Sequence, residues 1–460
     1  MADLSASAVI CGAGMAGISA AYHLAVRRGV RGVVLVDERP PLSLTSDKST
    51  ECYRNWWPGP GDSMVALMNR SIDIVEELAR ESDNRIMLNR RGYLFVSGNR
   101  ERVRDFAAAA DEAASLGAGP ARYHTGMPGD PPYVPAPPQG FEGLPTGADV
   151  ITDRALIRQH FPYLAESTVA VLHARRCGWL SAQQLGMYML EQARARGVKL
   201  VQARVVGVEV REGRVQTVRL SGGAGPTAIA TDRFVIAAGP FLKEVGRMIG
   251  VDIPVFCELH AKIAFRDPLG AVPRNGPLMI FSDPQTLTWS DEEKALLAES
   301  AQLRFLLKQM PQGPHVRPEG GADSPVVLTL WTYDETPVEP VVPPSFDPFH
   351  HEIVLRGVAA MLPALRGYFE RPPQPTIDGG YYCKTRENRP LIGPLPVKGA
   401  YVIAAFSGYG IMAASGAGDL LAAHVTGGPL PRYAPAFLLE RYSDPAYQRL
   451  LASWGATGQL

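Results

Sequence analysis

The chain has 460 residues, and its 46 lysines and arginines balance its 46 aspartates and glutamates. A chain of this length can bury a large core and is typical of two domains. Because it has no basic excess and no apolar run near the roughly 18 residues of a membrane helix, we expect neither a nucleic-acid partner nor a membrane span.

The five cysteines are scattered without a CxxC pair, and the nine histidines lack metal-ligand spacing. We therefore expect neither a disulfide framework nor a metal site. No charged region precedes the first apolar stretch, which does not fit the pattern of a cleaved signal peptide. These features favour a reducing, cytoplasmic location.

A glycine-rich motif follows the first apolar segment. Residues 9–11 are short and apolar, which predicts a buried strand, and Gly12-Ala13-Gly14-Met15-Ala16-Gly17 comes directly after them. Residues 16–28 have helical composition and end at Gly29, and residues 33–36 predict a second strand. This strand–turn–helix–strand order predicts a dinucleotide site.

Each residue of this motif has a distinct expected role. Gly12 permits a tight turn, Gly14 lets the backbone approach a pyrophosphate, and Gly17 lets helix and strand pack closely. Asp37 lies twenty residues after Gly17, where a carboxylate accepts the ribose hydroxyl and repels an NADP-type phosphate. A glycine turn without a ligand is the alternative.

The middle of the chain predicts an amphipathic helix over 62–80 and a strand over 91–96. Residues 117–146 are rich in proline and glycine and show no periodicity. A long irregular segment of this kind is either a lid over a substrate cavity or a surface excursion.

Further along, the pattern predicts a helix over 182–196 and a hairpin of strands 205–210 and 214–220. It also predicts buried strands ending near 239 and 406 and a packed helix over 415–425. Between 254 and 375, alternating strands at 261–265 and 326–333 flank a polar helix over 292–308.

We therefore predict an α/β fold in which a Rossmann-like nucleotide-binding domain carries an inserted β-rich (α+β) substrate domain. The first comprises residues 1–90, 146–253 and 376–460. The second comprises residues 91–145 and 254–375.

These motifs together resemble the D-amino-acid oxidase superfamily of flavoproteins, in the branch that holds sarcosine oxidase, glycine oxidase and dimethylglycine dehydrogenase. The resemblance rests on the glycine motif with Asp37, on Gly178-Trp179-Leu180-Ser181, on residues 235–239 and, most specifically, on the block 382–421. It implies that the cofactor is FAD and that Ser407-Gly408-Tyr409-Gly410 opens a helix pointing at the flavin ring.

The FAD contacts that this resemblance and the motif predict are Gly12, Gly14, Met15, Ala16, Gly17, Asp37, Glu38, Val206, Ala238, Gly239, Gly408, Tyr409, Gly410, Ile411 and Met412.

The resemblance also places Arg54 in a loop beside the flavin. There it would bind the flavin's polar edge or a substrate carboxylate, and a surface salt bridge is the alternative. Trp56 and Trp57 would wall the cavity or pack in the core. Some relatives link flavin to a cysteine where this chain has Gly380, or to a histidine in a loop that here has none (49–55). We therefore expect non-covalent FAD.

The reaction implied is oxidation of the C–N bond of a small secondary or tertiary amine or N-substituted amino acid, by hydride transfer to flavin N5. Tyr382 and Tyr409 are candidates to orient or deprotonate the amine. His260 and Lys262, two apart on a predicted strand, face the cavity or form an exposed polar face.

The expected electron acceptor is oxygen or a carrier protein. Met412 stands where sarcosine oxidases have a lysine, which slightly favours a dehydrogenase. The alternative function is that of an FAD-bearing assembly or chaperone protein without amine turnover.

Overall fold

The computed structural model describes residues 4–223, 225–321 and 323–454; residues 1–3 and 455–460 of the predicted nucleotide-binding segments lie outside this description. The predicted mixed α/β fold is confirmed. The helices, in chain order, are α1 (Met15–Tyr22), α2 (Ser63–Glu81), α3 (Arg102–Ser115), α4 (Arg154–His160), α5 (Ala182–Ala195), α6 (Leu242–Arg247), α7 (Asp291–Glu299), α8 (His350–Ala359), α9 (Gly410–Thr426) and α10 (Pro445–Ser453).

The strands of the described residues, in chain order, are β1 (Leu4–Ser5), β2 (Ala8–Cys11), β3 (Val33–Asp37), β4 (Cys52–Arg54), β5 (Tyr93–Ser97), β6 (Ala121–His124), β7 (Ala148–Ile151), β8 (Ala170–Ala174), β9 (Cys177–Trp179), β10 (Lys199–Gln202), β11 (Arg204–Arg211), β12 (Arg214–Ser221), β13 (Ala228–Ala230), β14 (Phe234–Ile236), β15 (Phe256–Arg266), β16 (Leu278–Phe281), β17 (Gln285–Thr286), β18 (Gln309–Met310), β19 (His315–Pro318), β20 (Val326–Leu330), β21 (Thr376–Lys384), β22 (Leu391–Pro394) and β23 (Ala400–Ala404).

A six-stranded sheet forms the nucleotide-binding half, in the order β10-β3-β2-β14-β23-β22. The first five strands are parallel, and β22 is antiparallel at the edge. Their continuous apolar runs are typical of a parallel sheet covered on both faces. Helices α1, α2, α5 and α9 share one core with this sheet, and the sheet β1-β13-β12-β11 packs on the other face.

Helix α9 crosses α1 and α2 at close range because small residues face each other. The Ser19 hydroxyl donates to the Ala414 carbonyl at 2.7 Å, and the Gly416 amide donates to the Ser71 hydroxyl at 3.0 Å. A Cβ on Gly418 would lie 2.3 Å from the Ser19 hydroxyl oxygen. These contacts fix the direction of α9 relative to the N-terminal helix.

A nine-stranded mixed sheet forms the other half, in the order β21-β15-β20-β19-β16-β5-β8-β7-β6. It includes β7, β8 and β21, whose segments we had assigned to the nucleotide-binding domain. An alternating strand pattern shows that one face is buried, but it does not say which sheet the strand joins. The two halves are therefore interleaved more finely than the sequence division proposes.

No helix in the described ranges is long and apolar enough to cross a membrane. All five cysteines are free and buried. Within the same ranges, no group of three or more histidine, cysteine or carboxylate side chains has the arrangement of a metal site.

Candidate cofactor and substrate site

The glycine motif lines a long cleft at the carboxyl edge of the parallel sheet. Gly12 has φ +113°, and a Cβ there would lie 2.2 Å from the Ala237 carbonyl oxygen. A Cβ on Gly17 would lie 1.8 Å from the Gly12 carbonyl oxygen. Both positions accept only glycine, because β2, α1 and the end of β14 meet there backbone to backbone.

Gly14 faces the cleft rather than the protein. A Cβ there would meet only the Ser46 hydroxyl, at 3.1 Å, and that hydroxyl also accepts the Met15 amide at 2.9 Å. Met15 begins α1, so the positive end of the helix opens at this point. The backbone here can approach a pyrophosphate without obstruction.

Asp37 ends β3, and its two carboxylate oxygens accept backbone amides. One accepts the Ala13 amide at 2.7 Å, and the other accepts the Arg39 amide at 2.9 Å. Burial raises the pKa of Asp37, and the two amide donors counter that effect. Asp37 thus holds the glycine turn in shape and also lines the cleft.

Of the other FAD contacts predicted for this outer part of the cleft, three residues line it and one does not. Glu38, Ala238 and Gly239 line it. Val206 does not: its side chain is exposed, and the preceding residue, Val205, lines the cleft instead. Successive side chains of a strand face opposite ways, so an error of one residue reverses the face.

The cleft continues inward to the N-terminus of α9. Gly14, Met15 and Ala16 line this inner part, as do Gly408, Gly410 and Ile411 from the other end of the chain. The first amides of α9 have no partner within the helix, so they present donors and partial positive charge there. Tyr409 and Met412 line the adjoining cavity.

Gly380 packs tightly, so a side chain at this position would press on its neighbours. A Cβ there would lie 3.1 Å from the Thr45 Cα atom. Cys383 is opposite Cys257 on the neighbouring strand, and the two thiols interact. Cys383 is also among the residues that line the inner cleft.

A cavity of about 410 Å³ adjoins the inner cleft. Its aromatic lining consists of Trp57, Tyr93, Tyr333, Tyr382 and Tyr409. Its polar lining includes Arg54, His260, His315, Thr332, Glu335 and Lys384.

Arg54 and two aromatic rings form one side of this cavity. The Arg54 guanidinium lies 4.7 Å from the centre of the Trp57 ring, which meets the Tyr409 ring edge-on at 4.9 Å. Arg54 is 4 % exposed, so it is not a surface ion pair. Trp57 is buried beside it, whereas Trp56 is only partly buried and does not line the cavity.

Two of the cavity's tyrosines keep their protons at neutral pH. Burial raises the pKa values of the Tyr382 and Tyr409 phenols. The Tyr409 hydroxyl already donates to the Asn388 carbonyl at 3.0 Å. Neither phenol is therefore suited to accept a proton from an amine.

His260 is the centre of a hydrogen-bonded chain on the opposite wall. Its Nδ1 lies 2.9 Å from the Thr332 hydroxyl, and its Nε2 lies 2.9 Å from a Glu258 carboxylate oxygen. The Lys384 ammonium donates to both Glu258 oxygens at 3.0 Å. The Tyr382 ring stacks on the imidazole at 4.0 Å and 14°.

Sequence reasoning found His260 and Tyr382 but missed Glu258, Lys384 and Thr332. Glu258 and His260 are two apart on β15, which puts them on one face. Lys384 pairs with Phe256 in the antiparallel register with β21. The i, i+2 spacing could have revealed Glu258, whereas the other two depend on strand pairing.

Lys262 and residues 117–146 lie outside the cavity lining. The Lys262 ammonium donates to the Asp47 carbonyl at 3.0 Å, and Lys262 is not among the residues lining the cavity. Residues 117–146 do not line it either; they pack on the outer strands, where Tyr133 bonds His173 and Val134 bonds Arg175. In this structure the segment is a surface excursion and not a lid.

A family model described as "FAD dependent oxidoreductase" matches residues 7–424. The chain belongs to this family. Its cofactor is FAD, and the features described above fit that molecule: a cleft that runs from Asp37 to Gly408, is open at Gly14 and has the N-termini of α1 and α9 in its inner part.

Among curated proteins, the chain is similar to the mitochondrial dimethylglycine dehydrogenase of Rattus norvegicus. The two are 25 % identical over 439 residues, which is 93 % of this chain and 43 % of the relative. The chain therefore spans less than half the length of this relative.

Two solved structures share the fold over nearly the whole chain. The L-proline dehydrogenase of P. horikoshii has a TM-score of 0.72 at 18 % identity, covering 96 % of this chain and 98 % of that one. The glycine oxidase of Geobacillus kaustophilus has a TM-score of 0.70 at 17 % identity, with 95 % and 98 % covered. At these identities the likeness concerns the fold.

Proposed function

We propose that this flavoprotein oxidises the C–N bond of a small secondary or tertiary amine or N-substituted amino acid. The observation that carries the proposal is the junction of the inner cleft and the cavity, which have Ser49, Tyr382 and Gly408 in common. A ligand in the cavity would lie against the end of the cleft that the α9 N-terminus faces.

The lining of the cavity supports an N-substituted amino acid in particular. Arg54 is a buried guanidinium, which binds a carboxylate with two parallel hydrogen bonds. The aromatic rings of Trp57, Tyr382 and Tyr409 offer apolar area for N-alkyl groups and faces that attract an amine cation. The name of one relative, a dimethylglycine dehydrogenase, agrees with this class.

FAD, when bound, supplies the hydride acceptor. The chain's own residues orient the substrate and exclude water from the buried wall around Tyr382 and Tyr409. The N-terminus of α9 would stabilise negative charge that develops beside it during the reaction.

We further propose that FAD is held without a covalent bond. The close contact of Gly380 with Thr45 and the absence of histidine from residues 49–55 support this. Acid precipitation should release the yellow colour into the supernatant. Colour remaining with the precipitate would contradict it and direct attention to Cys52 or Cys383, which line the cavity and the inner cleft.

We propose a cytoplasmic setting, which the five free and buried cysteines support.

We also favour a dehydrogenase over an oxidase. Met412 brings no charge to the cavity, and the Lys262 ammonium is bonded to the Asp47 carbonyl. With no lysine at the position of Met412, reaction of reduced flavin with oxygen should be slow. Stopped-flow mixing with aerated buffer tests this. Fast reoxidation that Lys262→Met slows would contradict it.

The central experiment is anaerobic bleaching of the flavin by a panel of amines. N-methylated amino acids should bleach it faster than the matched carboxamides, which lack the charge that Arg54 would bind, and faster than free amino acids. Bound flavin that no amine bleaches would contradict the proposal and favour an assembly or chaperone role.

A further inference from the structure

We propose that Thr332, His260 and Glu258 form a proton relay that takes the proton from the substrate's ammonium group before its oxidation. The inference rests on the proposed function, because it concerns an amine bound in the same cavity. At neutral pH a small alkylamine is mostly protonated, and a protonated nitrogen has no lone pair to support loss of a hydride from the adjoining carbon. The cavity must therefore contain a path for that proton.

The hydrogen bonds fix the direction of the relay. The Glu258 carboxylate is only an acceptor, so Nε2 of His260, 2.9 Å away, must carry the hydrogen. In the neutral imidazole, Nδ1 is then an acceptor, and the Thr332 hydroxyl 2.9 Å away donates to it. The hydroxyl oxygen keeps lone pairs to accept a further hydrogen. Thr332 lines the cavity, so that hydrogen can come from a ligand.

Glu258 is held in its ionised form. Burial alone would raise the pKa of Glu258, but the hydrogen bonds from His260 and Lys384 outweigh burial and lower it. Glu258 is 3 % exposed and His260 is 4 % exposed. A carboxylate this well buried and paired stabilises a positive charge on the neighbouring imidazole, as the third member of a catalytic triad does.

The transfer balances without any other reactant. The ammonium gives its proton to the Thr332 oxygen, and the Thr332 hydroxyl proton moves to Nδ1 of His260. The Nε2 hydrogen remains bonded to Glu258. The products are a neutral amine and an imidazolium, so total charge is unchanged.

Thr332 is a necessary member because direct access to the imidazole is restricted. The Tyr382 ring covers one face of it at 4.0 Å, and both ring nitrogens are already bonded. Thr332 follows β20, and β20 pairs with β15, which carries His260. Glu258 and His260 are thus held on a strand, and Thr332 lies two residues beyond the end of the neighbouring strand.

The other titratable groups around His260 do not compete for the proton. Burial lowers the pKa of His315 to about 4 and also lowers the pKa of His350, so both are neutral at pH 7. Burial raises the pKa values of Tyr382 and Tyr333. The remaining charged groups are the cations Arg54 and Lys384 and the carboxylate of Glu335. Neither cation accepts a proton, and Glu335 is exposed to solvent, unlike the buried Glu258.

The test compares Thr332→Val with Thr332→Ser in the FAD-loaded protein, by stopped-flow flavin reduction under anaerobic conditions from pH 6 to pH 10. Valine keeps the shape and removes the hydroxyl, whereas serine keeps the hydroxyl. Thr332→Val should reduce its flavin about 100-fold more slowly at pH 7, the scale of lost general-base catalysis. Its rate should recover near the pKa of the free amine, where no relay is needed.

A second measurement does not depend on turnover. Protein with ¹⁵N-labelled histidine is titrated with α-aminoisobutyrate, whose α-carbon has no hydrogen to transfer, and His260→Gln identifies the His260 signals. In the wild type, binding should convert His260 from the neutral form with hydrogen on Nε2 to the imidazolium. In Thr332→Val, His260 should stay neutral.

The outcomes separate the two proposals. A Thr332→Val variant that has the wild-type pH profile, or a His260 signal that does not respond to bound amine, would overturn the relay while leaving amine oxidation intact. If no amine in the panel reduces the wild-type flavin or perturbs its spectrum, amine oxidation fails and the relay fails with it.

Discussion

The cofactor cleft and the substrate cavity adjoin each other, yet the chain forms them differently. The cleft is made mainly of backbone, at the ends of β2, β14 and β23, with glycines where the chain passes too closely for a Cβ. The cavity is made of side chains from strands of the other sheet, such as His260 and Lys384. The cofactor cleft therefore tolerates few substitutions of its glycines, whereas the substrate cavity can change its specificity through individual side chains.

The largest expected effect is at Gly12. Gly12→Ala places a methyl group 2.2 Å from the Ala237 carbonyl oxygen, so the turn must open and FAD should be lost. Gly29→Ala is the matched control, because Gly29 also has positive φ but has nothing within 4 Å of its Cβ position. Gly29→Ala should lower the free energy of unfolding by about 1–2 kcal/mol and keep its flavin. Equal flavin absorbance per protein in both variants would contradict a backbone-limited cleft.

Arg54→Ala tests the side-chain character of the cavity. Loss of a charged hydrogen-bond donor should cost about 1.5–3 kcal/mol of substrate binding, or roughly 10- to 150-fold in Kd, with FAD content unchanged. Arg54→Lys should recover only part of this, because an ammonium cannot make the paired contact. The carboxamide analogue of the substrate is the control. If it suffers the same loss, Arg54 does not bind the carboxylate.

Asp37→Asn should weaken FAD binding by about 1–3 kcal/mol, because an amide replaces one of the two oxygens that accept the Ala13 and Arg39 amides. Titration of the apoprotein with FAD measures the change. Glu209→Gln, on the exposed edge of the four-stranded sheet, serves as the control. An unchanged Kd in Asp37→Asn would show that the turn keeps its shape without the carboxylate.

The smallest effect concerns stability and pH at the cavity wall. Burial lowers the pKa of His315 to about 4, against its ordinary value of 6.5. Below pH 6.5 the unfolded chain binds a proton at His315 that the folded chain does not. The free energy of unfolding therefore decreases as the pH is lowered from 6.5 to about 4. The slope is about 1.4 kcal/mol per pH unit.

His315→Gln should remove that contribution, measured by urea unfolding at pH 7, 6 and 5. His351→Gln, which changes a partly exposed imidazole on α8, is the matched control. Parallel slopes in the wild type and His315→Gln would mean that His315 is protonated equally in both states.

The sequence predicts the nucleotide-binding half well because its signals are local. The spacing of Gly12 and Gly17, the apolar run of β2 and the helix that begins after Ser407 each lie within a few residues. The structure brings the glycine motif and α9 to one cleft, as the sequence predicts; that these residues contact FAD remains a prediction.

The cavity is less predictable because the side chains that meet there come from strands that are distant in the sequence. Glu258 shares β15 with His260, but Thr332 reaches His260 only through the pairing of β15 with β20, and Lys384 reaches Glu258 only through the pairing of β15 with β21. Lys262 fails for a related reason: it is two residues from His260, but its side chain is long enough to reach the Asp47 carbonyl instead. Val206 is one residue out: its side chain is exposed, because neighbouring residues of a strand face opposite ways and Val205 is the one that lines the cleft.

The order of strands in the six-stranded sheet has a consequence for synthesis of the protein. β14 lies between β2 and β23, and α9, which closes the inner cleft, follows β23. A ribosome that has made the glycine motif, which ends at Gly17, must still add 409 residues before α9 is complete at Thr426. Until then the emerging chain has only half of the site, so capture of FAD should follow release of α9 from the ribosome.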